Sequence, residues 1–276
     1  MTAVPDVAAP VGRQRRWASV GAAVVVGHLL LAVVVPLLPL QSVTAQDATA
    51  ILQGASSRHW LGTDDLGRDV LARTLWGGRP SIAIAAAAAV LAALLGGVIG
   101  AVAALARGWV DDVLMRVNDV LLALPSLLVL MLVASFIGRQ PAVLVAALAL
   151  MYAPPVARLV RGAALGVLER DFVVAARLGG ASSSEIVIGE VLPNIRRVVA
   201  TEVAMQFSWI LLAFSALSFL GLGATPPTPE WGLMVSSARN YITINALPLI
   251  APAAMLASLV LAVNALVDRD AHEERR

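Results

Sequence analysis

The 276-residue sequence contains no cysteine and no lysine. Without cysteine it can form no disulfide, thiolate nucleophile or thiolate-held metal site. Without lysine it has neither the phosphate-gripping residue of a P-loop nor a Schiff-base nucleophile. All 20 basic residues are arginine. Charge is scarce too, at 14% of residues against about 25% in an ordinary soluble domain. The three histidines, at 28, 59 and 272, are scattered and offer no metal-ligand spacing. There is no G-x-S-x-G and no H-E-x-x-H. What remains is apolar: 59% hydrophobic residues and a mean hydropathy of +0.84. That composition describes an all-α polytopic membrane protein. The pI of about 9.9 comes from arginine clusters beside the membrane, with no patch suited to nucleic acid.

Six stretches are long and apolar enough to cross about 30 Å of hydrocarbon: 17–40, 81–106, 119–137, 141–164, 202–222 and 246–267. The apolar run at 17–40 exceeds the core of a cleaved signal peptide, about 7–15 residues, and reads as an uncleaved first span. Gly96, Gly97 and Gly100 allow close helix contact in the second span. Pro154-Pro155 should kink the fourth. Tails cover 1–16 and 268–276. A loop at 41–80 is expected to carry an amphipathic helix from Arg68 to Trp76. Fourteen arginines fall on the side of the termini and six on the other. The positive-inside rule then places both termini in the cytoplasm.

The segment Asp171–Asn194, DFVVAARLGGASSSEIVIGEVLPN, interrupts the apolar runs on that same side. Ala175 with Gly179, and Ala176 with Gly180, give one helix a smooth surface at i, i+4 spacing. Gly179-Gly180 ends it. Ser182 and Glu185 form a capping box that starts a second helix, which Leu192-Pro193-Asn194 should end. A plain hairpin between two spans is the alternative.

The loop resembles the "EAA" loop of bacterial ABC-importer permeases. Ala175, Ala176, Gly180, Leu192 and Pro193 stand at matching positions, while Val174 and Glu190 depart from the pattern. Two further runs resemble the C-type subunit of dipeptide/oligopeptide and nickel permeases. One is HWLGTDDLGRDVLARTLWGGRPS, His59–Ser81, with Ala72 departing. The other is SFLGLGATPPTPEWG, Ser218–Gly232. The resemblance implies a type I ABC importer transmembrane fold with six transmembrane helices, a permease core at 81–267 and a cytoplasmic coupling loop at 171–194. It implies that Ala175, Ala176, Arg177, Gly179, Gly180, Ser182, Glu185, Leu192 and Pro193 meet an ATPase subunit. It also implies a homologous second permease, one or two ATP-binding subunits holding ATP and Mg, and an extracytoplasmic substrate-binding protein. This chain itself would hold no cofactor and catalyse nothing. Dipeptides or short oligopeptides are the expected cargo; nickel chelates, glutathione and haem remain open. An ATP-independent carrier or scaffold is the reading from another class.

The spans are nearly free of charge. Asp119 and Glu202 lie near the expected cytoplasmic ends, where capping or pairing with arginine is the expectation. Gln206, Ser208, Ser215, Ser218 and Asn264 are candidates for a polar path, with interhelical hydrogen bonding as the alternative. Pro227, Pro229, Glu230 and Trp231 are candidates for contact with a binding protein, with a rigid re-entrant cap as the alternative. Trp231 suits the membrane interface. The charges of 59–79 serve either loop structure or binding. His28 is expected to hydrogen-bond between helices.

Overall fold

The computed structural model describes residues 11–273, with side chains described for 19–268. Residues 1–10 and 274–276 of the expected tails lie outside them. The described residues form ten α-helices: α1 Val11–Val34, α2 Val70–Ala106, α3 Gly108–Ala123, α4 Ser126–Phe136, α5 Pro141–Leu168, α6 Asp171–Leu178, α7 Ser183–Ile186, α8 Leu192–Phe219, α9 Trp231–Ala238 and α10 Leu247–Glu273. Five stretches have the length and apolarity to cross a membrane: Ser19–Leu37, Val70–Ala106, Pro141–Leu168, Ser183–Phe219 and Leu247–Asp268.

The third expected span, 119–137, is not one helix. α3 and α4 meet at 84° across Leu124 and Pro125. Leu124 is extended, with ψ 133°, because a residue before proline is driven out of the helical region. At 11 residues, α4 is about 16 Å long and too short to cross alone. The polar stretch 107–118 is helical, forming most of α3.

Two other boundaries also differ from expectation. The amphipathic helix foreseen at 68–76 is simply the start of α2, which runs for 37 residues through Pro80. Leu192-Pro193 does not end a helix either. A wider π-type turn over Val187–Val191 sends the Leu192 N–H to Val187 O and seats Pro193 in the first turn of α8, where a missing N–H costs least. Pro154-Pro155 leaves α5 uninterrupted.

The most extensive helix contact joins α2 and α5. Hydrocarbon offers helices no hydrophobic reward for associating, so close packing of small residues has to hold them. Ala85, Ala89, Ala92, Gly96, Gly100 and Ala103 are all buried along α2. They face Leu148, Ala149, Ala153, Ala157 and Val160 of α5. A methyl added at Gly96 would sit 2.5 Å from Ala153 O and 2.7 Å from Val156 Cβ. At Gly100 it would meet Ala157 O and lie 2.9 Å from Val160 Cβ. Gly97 has open space around it and takes no part, contrary to expectation. α1 packs on α10, where His28 bridges the helices, with Nδ1 at 2.8 Å from Val24 O and Nε2 at 3.2 Å from Met255 O.

At one end of the bundle the segments 41–69 and 220–245 fold onto each other. Asn245 donates to Gln53 O at 2.8 Å, and Arg139 donates to Gly221 O at 2.7 Å. Within 59–73 the charges, all but Asp65 buried, satisfy one another. Asp64 accepts from Arg68 Nε at 2.8 Å and pairs with Arg73 Nε at 3.4 Å. Asp69 caps α2 through Ala72 N and pairs with His59 Nδ1 at 2.9 Å. Asp65, half-buried, lies 3.7 Å from Arg68 Nη2, so the loop reading accounts for all six of these side chains.

Candidate coupling surface and translocation face

The elbow between α6 and α7 is built as its residues suggest. α6 closes with the two-bond glycine arrangement: Gly180 N donates to Arg177 O at 3.0 Å and Ala181 N to Ala176 O at 3.1 Å. Gly180 sits at φ +88°, a conformation costly for any residue with a Cβ. Ser182 Oγ accepts from Glu185 N at 3.3 Å while Ser182 N donates to Glu185 Oε2 at 2.7 Å, completing the capping box. Val173 and Ile186 anchor the elbow in a cluster with Val160, Ala164, Leu168 and Ile195.

The other face of the elbow is bare. Leu178 is 85% exposed, and Phe172, Val174, Ile188 and Leu192 are also exposed. Ala175, Arg177, Gly179, Gly180, Ser182, Glu185 and Pro193 are exposed as well, and Ala176 is half-buried. Side chains that could have turned inward thus stand out on a well-capped, anchored hairpin. Exposed apolar side chains on an anchored hairpin offer surface that a partner could cover.

The expected path residues divide. Gln206, Ser208 and Ser215 are buried in α8, and among the described residues Gln206 Oε1, Ser208 Oγ and Ser215 Oγ have no hydrogen-bond partner. Ser218 belongs elsewhere: its hydroxyl accepts from Ala224 N at 3.1 Å and bonds Glu230. Asn264 is exposed on α10.

Pro229, Glu230 and Trp231 are withdrawn from the surface, which corrects their expected contact with a binding protein; Pro227 alone of the four is exposed. Trp231 is 1% exposed and is no interfacial anchor. Its indole lies over Gly77 and Gly78 of α2 and donates from Nε1 to Thr74 O at 2.8 Å. Gly77 and Gly78 leave the space that a large ring needs. Glu230 caps α9 through Leu233 N at 2.9 Å and lies 2.8 Å from Ser81 Oγ. Burial pushes its carboxyl above the ordinary carboxylate range, against the pull of the Leu233 and Gly232 N–H groups. Ser81 Oγ is also 3.0 Å from Gly77 O. Ser81 thus has one proton to share between the Glu230 carboxyl and Gly77 O.

A cavity of about 370 Å³ opens between the α3–α4 break, the middle of α5 and the middle of α8. Glu202, Met205, Gln206 and Trp209 line it from α8, and Tyr152 and Pro155 from α5. Glu202 is not at a helix end, since α8 begins ten residues earlier. Tyr152 and Trp209 were not foreseen, although 202, 206 and 209 at i, i+4, i+7 already placed three of these residues on one face of α8.

Residues 96–270 match the family described as binding-protein-dependent transport system inner membrane component. The chain belongs to this family. It is 32% identical over 261 residues to the dipeptide transport system permease protein DppC of Alkalihalophilus pseudofirmus, covering 94% of this chain and 86% of that one. It is 38% identical over 222 residues to the di/tripeptide transport system permease protein DppC of Pseudomonas aeruginosa, covering 80% and 73%. It is 36% identical over 237 residues to the glutathione transport system permease protein GsiD of Pectobacterium atrosepticum, covering 85% and 79%. This permease chain is a multi-pass inner-membrane component, and its several apolar helices fit that membership. The family match begins within α2 at Gly96 and takes in the elbow and the cavity, whereas 41–69 precedes it.

Proposed function

We propose that this chain is one of two membrane subunits of an ATP-driven importer carrying dipeptides or short oligopeptides into the cytoplasm. Both termini and the elbow 171–194 lie on the cytoplasmic side, where 14 of the 20 arginines collect. Separate subunits bind and hydrolyse ATP, and a substrate-binding protein delivers the cargo at the opposite end. The observation that carries the reading is the bare apolar face of the elbow, with Leu178 at 85% exposure beside the Gly180 turn. An ATPase gripping it would drag α5 and α8 through the Val173–Ile186 anchor. Reversing a 1:99 equilibrium needs about 5.5 kcal/mol of differential binding, which ATP can supply. Peptide cargo is supported by the relatives' names, and glutathione, itself a small peptide, is the second reading that one of those names favours.

The test uses Leu178→Asp, exposed enough to leave the fold intact, and Gly180→Val, strained at its positive φ. Both should reach the membrane, lose the ATPase chains on purification and lose peptide uptake. Normal uptake by both variants, or uptake by this chain without any ATPase, would overturn the reading and favour an autonomous carrier.

A further inference from the structure

We propose that the cavity between α3, α4, α5 and α8 is a transit site for the terminal ammonium group of a peptide, with Glu202 as its counter-ion. This rests on the importer reading above. A carboxylate on a membrane-crossing helix is costly unless something pairs with it. The neighbouring carboxylates comply: Asp111 holds Arg161 at 2.5 Å and Asp119 holds Arg158 at 2.5 Å. Glu202 is half-buried on Ser183–Phe219, and among the described residues it has no basic partner. Its one hydrogen bond comes from Gln206 Nε2 at 2.6 Å. That bond orients Gln206 and leaves the amide Oε1 as a buried acceptor with nothing to accept from. Gln206 itself is only 5% exposed. A buried acceptor and a carboxylate without a cation, one helical turn apart, together favour a positively charged donor. An ammonium group has three protons and no acceptor, which is the complement.

The walls fit the rest of a peptide. Trp209, 57% exposed, and Tyr152, held by a hydrogen bond to Ser126, line it with aromatic surface that a cation favours. Met151 and Met205 are adaptable apolar surface for varied side chains. The volume lies in the range of small-molecule sites. The backbone breaks here as well, at Leu124–Pro125, as it does where a membrane protein lines a cavity. A site reading the ammonium group reads what every peptide shares, so it aids passage without narrowing the cargo.

The test uses the assembled importer in proteoliposomes, turning over ATP with its binding protein and alanyl-alanine amide as probe. A membrane-permeant carbodiimide should join the probe's amine to the Glu202 carboxyl as an amide, detected by mass. The adduct should be absent with N-acetylated probe and with Glu202→Gln. Glu202→Gln should also lower peptide moved per ATP hydrolysed about tenfold, the loss of one charge-assisted bond. Gln206→Leu should lower it by less. Three results overturn the site while the importer stands: no adduct during active uptake, unchanged uptake in Glu202→Gln, or cross-linking of Glu202 to the second permease. Wild-type complex that hydrolyses ATP but moves no peptide sinks both readings.

Discussion

Replacing single glycines of α2 with alanine separates packing from helix propensity within one turn and a half. Gly96 and Gly100 sit against the α5 backbone, and Gly97 between them faces open space. A methyl at Gly96 would lie 2.5 Å from Ala153 O, where ordinary carbon–oxygen contact needs about 3.3 Å. Backbone is the obstacle, so the helices must part by nearly an ångström rather than let a side chain swing away. Overpacking of that kind costs about 1–3 kcal/mol. The Gly→Ala gain in propensity, about 1 kcal/mol at most, offsets only part of it. Gly96→Ala and Gly100→Ala should therefore each lower the thermal midpoint in detergent by several degrees, and together by more. Gly97→Ala should leave it unchanged or raise it. Fluorescence-monitored melting with matched expression checks this. If all three variants melt together, the α2–α5 seam is not held by glycine proximity and the packing argument is wrong.

Glu230→Gln should cost less than Glu230→Ala, since the amide keeps an uncharged oxygen to accept from Leu233 N, whereas Glu230→Ala should cost about 3 kcal/mol by orphaning buried donors. Because burial raises this carboxyl, its neutral form stabilises fully below the unfolded value of 4.5. That contribution fades as pH rises through the folded value. Wild-type melting temperature should fall with rising pH more steeply than that of Glu230→Gln. Gly62→Ala and Gly67→Ala, at φ +71° and +72° with methyls aimed at Gln53 O and Asp47 O, should each destabilise the 41–69 fold by about 1–3 kcal/mol. Faster proteolysis within that segment would register it. The absence of cysteine permits a clean topology test: Ser184→Cys should react with impermeant maleimide only from the cytoplasmic side, and Thr228→Cys only from the other.

Elements whose cause is local could be read from the chain. The Gly180 turn and the Ser182–Glu185 box depend on residues within a few positions, and both are present. Helix ends set by distant partners were harder. Pro193 signalled a stop, but the π-type turn before it absorbed the ring. The break at Leu124–Pro125 carried its proline in plain view within an apolar run that suggested continuity. Trp231 illustrates the limit best. An aromatic after three prolines suits a membrane surface, and only the hollow at Gly77-Gly78, some 150 positions away in sequence, turns it inward. Glu202 was misjudged because the start of its helix was placed ten residues late.

At 37 residues, α2 is a rod of about 56 Å, nearly twice the hydrocarbon thickness. Its first turns are latched by the Trp231 indole, and its far half is zipped to α5, which leads straight into the elbow. A rod so fastened behaves as a lever. Tilting by roughly 10° about the Trp231 latch would carry its far tip about 10 Å, so movement at the elbow can be taken up by the rod while the latch stays in place and no helix melts.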